Sequence, residues 1–272
     1  MALIKKNIAI LGSGNIGTAL AEGIISNRVA KINNLVLTRR NKKKLKILCE
    51  KGFNAISNNL EAVSNADIIL LTVTPQNLNV LLEEIKNSLT SKQIIISVIP
   101  GVSIKQIKEK LGNKNTVIRV MPNTAIAIGE SMTCIATDDN GSKAFEITEK
   151  IFNTVGKTIR IPEELMSPAT ALCACGTAFF LRAIRAASQG GIEIGFHSEE
   201  ALLMAAQTAK GAAAMLLKEE KHPEREIDKV TTPQGITIAG LNQMEHFGFS
   251  SSMIKGIVTA AEKAEKIYSS EK

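Results

Sequence analysis

The run Asn7-Ile-Ala-Ile-Leu11, followed at once by Gly12-Ser-Gly-Asn-Ile-Gly17, decides the fold. Five residues with an apolar core read as a buried strand. The glycines then repeat with Gly-x-Gly-x-x-Gly spacing, and Asn15 to Ser26 carries the apolar spacing of a helix. In a strand-turn-helix unit each glycine has a separate task. Gly12 permits the tight turn, Gly14 lets a pyrophosphate approach the backbone, and Gly17 lets the helix lie close on the sheet. A helix start also carries unpaired amides and partial positive charge. The loop Gly12, Ser13, Gly14, Asn15, Ile16, Gly17 is therefore a candidate dinucleotide cradle, with a purely structural glycine turn as the plain alternative.

Working outward, further uninterrupted apolar runs occur at Asn34–Thr38, Ile68–Val73, Ile94–Val98 and Val117–Val120. Such runs fit strands covered by helices on both faces. Helix-like spacing fills the gaps at 42–51, 59–64, 76–86 and 104–111. Alternation of this kind predicts an α/β Rossmann-type domain, doubly wound around a mainly parallel sheet, over residues 1–162. After Pro162 strand signals vanish and alanine becomes abundant. Helices are expected near 164–193, 198–221, 235–247 and 250–269, forming an all-α domain over 163–272. Ser198 and Ser250 read as N-caps, and Glu199 and Glu200 suit the positive end of a helix. Small residues from Ala205 to Ala214 permit close helix approach, in an intrachain bundle or in a subunit interface.

Composition narrows the function classes. Of 272 residues 44% are hydrophobic, ample for a core, and no run looks long and uncharged enough to cross a bilayer. The N-terminus passes directly into the first strand without a signal-peptide pattern, so a cytoplasmic location is expected. Cys49, Cys134, Cys173 and Cys175 lack zinc or thioredoxin spacing, and three histidines show no ligand pairing, so no metal is expected. The net charge of +7 favours anionic small molecules; with one Tyr and no Trp the chain lacks a nucleic-acid stacking platform.

Two further stretches carry chemistry. At the end of the second strand stand Thr38-Arg39-Arg40-Asn41, where an acidic residue would accept from a ribose 2′-hydroxyl. Guanidinium groups there suit a 2′-phosphate, which favours NADPH over NADH, although the same arginines open a basic run that could simply be solvated. Far downstream, Lys229-Val-Thr-Thr-Pro-Gln-Gly-Ile-Thr-Ile-Ala-Gly-Leu-Asn-Gln-Met-Glu245 opens a helix with a Pro-x-Gly-x-Thr turn. The amides of Gly235, Ile236 and Thr237 could hold a carboxylate there without any charged side chain.

That downstream stretch resembles the C-terminal signature of the pyrroline-5-carboxylate reductases. So do Asn58-Asn59-Leu-Glu-Ala, Ala66-Asp67, Val73-Thr74-Pro75-Gln76, Ile96-Ser97-Val-Ile-Pro-Gly101 and Val117-Ile-Arg-Val-Met-Pro-Asn-Thr124, and the likeness covers essentially the whole chain. It implies hydride transfer from NAD(P)H to the imine carbon of 1-pyrroline-5-carboxylate, a small cyclic imine carboxylate, giving L-proline. By the same likeness Asn59 and the backbone around Thr72 to Pro75, Val73 and Thr74 included, would line the cofactor; the plain alternative for Asn59 is a helix N-cap, and the two roles can coexist. Arg119 and Asp67 are structural polar groups or ligand contacts. Gly235, Ile236 and Thr237 would hold the substrate carboxylate beside Cys175, with the Thr237 hydroxyl near the ring nitrogen as the catalytic group. Pairing of the helical domain is expected to make a homodimer or a larger ring, and the family resemblance implies an active site between the two domains of one chain, closed by the neighbouring subunit's helices.

Several positions depart from that pattern. Thr74-Pro75 replaces Lys-Pro, Cys173-Ala-Cys-Gly-Thr-Ala-Phe179 replaces Ser-Gly-Ser-Gly-Pro-Ala-Tyr, and Pro233-Gln-Gly-Ile-Thr237 replaces Pro-Gly-Gly-Thr-Thr. Phe179 and Cys175 lower the polarity expected of the pocket, and Gln234 adds bulk where a backbone should approach a ligand. The alternatives are a reductase of a related cyclic imine, or a regulatory member that binds nucleotide without catalysis. Cys175 as a nucleophile has no basic partner in any motif.

Overall fold

A computed structural model describes residues 3–138, 143–219 and 222–269. Eight strands form one sheet: β1 (Ile8–Leu11), β2 (Leu35–Thr38), β3 (Asn54–Ile56), β4 (Ile68–Leu71), β5 (Ile94–Ser97), β6 (Thr116–Met121), β7 (Ser131–Thr137) and β8 (Gly156–Arg160). Their order is β3-β2-β1-β4-β5-β6-β7-β8, and every pairing is parallel except β6 with β7. The first six follow the dinucleotide-binding order, whose switch point lies between β1 and β4.

Uninterrupted apolar runs form these strands because both faces are covered. Ile8 and Ile10 enter one core cluster while Ala9 and Leu11 enter the other; Ile68 and Leu70 alternate with Ile69 and Leu71 in the same way. Helices α1 (Asn15–Ser26), α2 (Lys42–Glu50), α3 (Asn59–Ser64), α4 (Pro75–Ile85), α5 (Ile104–Leu111) and α6 (Lys143–Phe152) fill the connections. The start of α5 is fixed by a reciprocal capping box between Ser103 and Gln106, and its end by Gly112 in the left-handed region.

Three strands and α6 lay outside the sequence expectation. β3 and β8 are the two edges of the sheet, β3 of only three residues and β8 without a buried apolar run. β7 carries Ser131 and Thr133 where a buried strand should be apolar; both are buried, and their hydroxyls bond each other at 3.0 Å. Gly156 is what allows β8 beside it, since a Cβ there would meet the Ser131 carbonyl oxygen at 2.0 Å.

Secondary structure changes type at Pro162, but packing divides elsewhere: one compact unit is Met1–Ala174 with Ala261–Lys272, the other Cys175–Ala260. The first helical residues stay with the sheet unit through side chains. Met166 is buried in a cluster with Cys134 and Ala136, and Glu163 accepts from Arg119 Nη1 (3.2 Å) and from the Ile104 amide (2.7 Å). Helix α7 (Met166–Ala169) runs into a π-helical turn, Thr170–Cys175, and then into α8 (Gly176–Glu193).

The second unit holds α8, α9 (Ser198–Glu219), α10 (Pro223–Val230), α11 (Ile236–His246) and most of α12 (Phe249–Ser269). The last two residues of the helix expected over 198–221 lie outside the described residues. Helix α10 was not anticipated. α8 and α9 pack closely, with Gly191 set so near Ala201 that an added Cβ would lie 3.0 Å from the alanine Cβ. Ser198 is the first residue of α9. Ser250 is not a cap: it lies within α12 and its hydroxyl donates to Glu245 Oε1 (2.6 Å). The continuous helical run Glu163–Glu193 is, contrary to expectation, long and apolar enough to span a membrane, with a mean hydropathy of 1.3 in its most apolar window. Its hydropathy comes from many small Ala and Cys side chains, so no single apolar run announces it in the sequence.

Candidate active site

The glycine turn sits between β1 and α1, held by a threonine from each flanking strand. Thr38 on β2 receives a hydrogen bond from the Gly12 amide at its hydroxyl (3.2 Å) and from the Ser13 amide at its carbonyl (2.9 Å). Thr72, just after β4, donates its hydroxyl to the carbonyls of Leu11 (2.9 Å) and Gly12 (3.1 Å). Gly12 has φ +95° and faces Val73 so closely that a Cβ would lie 2.6 Å from Val73 Cγ1. Around Gly14 the space is open: an added Cβ would meet only the Gly12 carbonyl, at 3.8 Å. At Gly17 a Cβ would press on Ile10 and on the Thr72 hydroxyl, both at 3.0 Å, so α1 can lie this low only with glycine there. No side chain caps α1 and no acidic residue stands in its first turn, so its positive end is not neutralised locally.

A cleft of about 310 Å³ opens along this turn. Eight sequence-predicted residues line it: Gly12, Ser13, Gly14, Arg39, Arg40, Asn59, Val73 and Thr74. Asn15 instead lines an adjoining cleft of about 320 Å³ that also contains Gly14 and Arg39. The Ile16 side chain packs on the core, Gly17 is buried on the face of α1 that lies against Ile10 and Thr72, and Pro75 is the first residue of α4. Thr38, Asn41, Ser57, Thr72 and Asn77 complete the first cleft and were not singled out as side chains by the sequence. Of these, Asn77 could have been suspected from its position three residues after Thr74 at a helix start.

The electrostatics are one-sided, with two guanidinium groups and no carboxylate in the lining. Half-buried Arg39 donates from Nη1 to the Ser13 carbonyl, beneath the glycine turn. Exposed Arg40 donates to Asn77 Oδ1 (2.7 Å), and Asn77 Nδ2 donates to the Thr74 hydroxyl (2.8 Å). One chain of hydrogen bonds thus joins the loop after β2 to the start of α4. Asn59 does not cap its helix. Asn58 does, accepting from the amides of Leu60 and Glu61, because the helix begins at Asn59 itself, whose amide side chain donates to Glu84 Oε2 (3.0 Å). Asp67 and Arg119 are structural: Asp67 accepts from the Asn7 amide (2.9 Å), and Arg119 pairs with Glu163. A larger cavity, about 750 Å³, lies elsewhere in the sheet unit, but its lining carries Asp138, Glu163 and Glu164 against a single arginine. That charge opposes a pyrophosphate.

In the helical unit Gly235 is the N-cap of α11, and no side chain caps the helix. Thr237 is its second residue and exposed, and Ile236 is 94% exposed. The turn before it is tight: a Cβ on Gly235 would lie 2.4 Å from Thr232 Oγ1, and Gln234 adopts φ +57°, the left-handed region. Cys175 is half-buried at the junction of the π-helical turn and α8.

Sheet order, glycine turn and cationic cleft define a nicotinamide-dinucleotide-dependent oxidoreductase with a Rossmann-type domain. A family model described as NADP oxidoreductase, coenzyme F420-dependent, matches residues 7–101, and one described as pyrroline-5-carboxylate reductase dimerisation matches residues 163–267. Pyrroline-5-carboxylate reductase 2 of Dictyostelium discoideum is 53% identical, covering 96% of this chain and 93% of that protein. Pyrroline-5-carboxylate reductase 1 of the same organism is 50% identical over 98% of this chain, which spans 51% of that longer protein. The crystal structure of Plasmodium falciparum pyrroline carboxylate reductase with NADP bound superposes with a TM-score of 0.84 at 29% identity, covering 98% of this chain and 100% of that one. The chain belongs to the pyrroline-5-carboxylate reductase family, and the dimerisation model places homo-oligomerisation in its helical segment.

Proposed function

We propose that this chain reduces 1-pyrroline-5-carboxylate to L-proline with a nicotinamide dinucleotide, NADPH ahead of NADH. One observation carries the cofactor preference: Arg39 and Arg40 flank the glycine-turn cleft, and no carboxylate stands there to accept from a 2′-hydroxyl. The open face of Gly14 and the uncapped start of α1 fit a pyrophosphate, and the guanidinium groups fit a 2′-phosphate. When bound, the dinucleotide supplies the hydride. The chain's own residues supply position: the turn Gly12, Ser13 and Gly14, whose amides are tied to Thr38 and to the Gly12 carbonyl, brings the uncapped start of α1 to the phosphates, while Asn59, Val73 and Thr74 wall the cleft.

A protonated imine is already electrophilic, so the protein's task on the substrate is to hold and orient it. The Gly235 amide already donates to the Thr232 carbonyl (2.9 Å), so the carboxylate falls to the uncapped amides of Ile236 and Thr237, and the exposed Thr237 hydroxyl suits the ring nitrogen as a hydrogen-bonding partner. Cys175 contributes a soft, weakly polar wall. The reading includes a cytoplasmic enzyme, homodimeric or larger.

Following NADPH absorbance with pyrroline-5-carboxylate, and with a six-membered imine carboxylate as competitor, tests the assignment. Turnover of the five-membered ring is expected. Turnover of the six-membered ring alone would move the assignment to another imine, and tight NADPH binding with neither turned over would make the chain a nucleotide-binding regulator. Replacing Arg39 and Arg40 together by Ala should raise the NADPH KM by roughly 10- to 100-fold, the scale of lost charge-assisted bonds, and leave the NADH KM nearly unchanged. Equal loss for both cofactors would remove the 2′-phosphate role. Thr237→Ala should lower kcat/KM about tenfold, the scale of one lost hydrogen bond; unchanged kinetics would end the assignment of that hydroxyl.

A further inference from the structure

Two cysteines that the reaction does not use lie face to face in the sheet unit. Cys134, on β7, is buried with Ala136 and Met166, and half-buried Cys173 sits in the π-helical turn Thr170–Cys175. Their sulfurs are 3.9 Å apart. Among the described residues no group of three or more His, Cys, Asp or Glu side chains could hold a metal, so the pair is not part of a metal site. Pairing of Cys173 with Cys175 is disfavoured, since residues two apart on a helical turn face different ways.

We propose that Cys134 and Cys173 form a peroxide-oxidisable dithiol that closes reversibly to a disulfide. The roles are unequal. The Cys134 thiol bonded to the Cys173 sulfur draws Cys173 down to about 7, against the effect of burial, while that same bond and burial push Cys134 well up. Cys173 is therefore the attacking thiolate and Cys134 the resolving thiol.

In the first step the Cys173 thiolate attacks a hydroperoxide oxygen. An S–O bond forms, the O–O bond breaks, and the leaving alkoxide or hydroxide takes a proton, leaving Cys173 as a sulfenic acid. In the second, the Cys134 sulfur attacks the Cys173 sulfur, the S–O bond breaks, and water departs with the Cys134 proton. Two thiols have then lost two electrons and two protons, and the hydroperoxide has been reduced to alcohol, or to water, with a further water released.

Closure brings the sulfurs from 3.9 Å to about 2.0 Å. The π-helical turn is the element that can give, because its hydrogen-bond ladder already departs from the α pattern. Its position matters: the Cys173 carbonyl accepts from Asn123 Nδ2 (3.2 Å), Thr170 donates to Met121 Sδ (2.8 Å), and the turn continues into Cys175 and α8. The disulfide would staple this turn to β7.

The test is mass, not turnover, so it stands or falls apart from the assigned reaction. Full-length reduced protein is treated with one equivalent of hydrogen peroxide near neutral pH and analysed intact and by peptide mapping. A loss of about 2 Da, reversed by dithiothreitol and mapped to a Cys134–Cys173 cross-link, is expected. Cys134→Ser should instead accumulate a dimedone-reactive Cys173, and a Cys49→Ser, Cys175→Ser double variant should still cross-link. Wild-type protein that keeps its mass, or a cross-link that joins Cys173 to Cys175, would overturn the proposal. Wild-type mapping decides the matter even if the buried Cys134→Ser variant folds poorly.

Discussion

The sheet unit encloses its own core, whereas the helical unit leaves its apolar surface in the open. In the first, Ile8, Ile10, Leu11, Leu70 and Leu71 are fully buried between two layers of helices. Among the described residues 175–260, Ala201 is the only buried apolar side chain, while Leu203 is 70% exposed and Phe247 81%. Apolar area on this scale is not left in water by a stable single unit. The contrast teaches that one chain is enough to specify the dinucleotide-binding half, and that the other half is completed by further copies, as the dimerisation match implies. It also explains why α9 is built from small side chains, which let helices of any origin approach closely.

Cutting each half separately breaks or upholds this contrast, and the largest effect belongs to the sheet. Ile10→Ala removes a fully buried side chain and should cost about 2–5 kcal/mol in denaturant unfolding, at every protein concentration. Leu203→Asp with Phe247→Asp should leave the sheet unit's stability near wild type, shift sedimentation toward the single chain, lower the melting temperature of the helical unit and remove its dependence on protein concentration. If the aspartate variant sediments as wild type, those faces are not interfaces. If Ile10→Ala is nearly neutral, the core has been misplaced.

Much of the sheet half was legible because its signals are local. Residues 7–17 place strand, turn and helix by apolar run and glycine spacing alone, and the helices at 15–26, 59–64 and 104–111 begin and end where the sequence puts them. What escaped needed the third dimension. β7 hides because Ser131 and Thr133 satisfy each other when buried, and the clamp of Thr38 and Thr72 on the glycine turn exists only once β2 and β4 flank β1. In the helical half, segment type was legible from composition, but α10 was not, because it spans only Pro223–Val230 and is rich in charge. Asn58 and Asn59 are equally good caps on paper; the backbone decides which residue stands outside the helix.

A smaller effect sharpens the cleft within the sheet half. Asn77 bonds Arg40 on one side and Thr74 on the other, so it positions a guanidinium that would otherwise swing freely in solvent. If Arg40 holds a 2′-phosphate as proposed, Asn77→Leu should raise the NADPH KM by about three- to tenfold and leave kcat and the NADH KM within error, since NADH carries no group for Arg40 to hold. Asn77→Asp, which keeps an acceptor for Arg40, should recover part of the loss. A fall in kcat with both cofactors would mean that Asn77 merely supports the start of α4.

The smallest effect concerns how the two halves build their turns. The sheet half places glycine where the backbone enters positive φ beside the glycine-turn cleft, with Gly12 at +95°; the helical half places Gln234 at +57° before the start of α11. A side chain in that region costs about 1 kcal/mol or more, while glycine costs roughly 0.5–1 kcal/mol in extra unfolded-state entropy. Gln234→Gly should therefore gain only about 0.5 kcal/mol, seen as a small rise in the midpoint of the helical unit's unfolding. Asn113, also left-handed at φ 59°, supplies the control. Asparagine adopts that conformation with local hydrogen-bonding help, so Asn113→Gly should gain nothing. Gly235→Ala beside it should be severe, since the new Cβ would strike Thr232. Were Gln234→Gly to lower the midpoint while Gly235→Ala left it unmoved, the turn that presents the α11 amides would have a different backbone from the one described, and the carboxylate reading of residues 235–237 would lose its geometric basis.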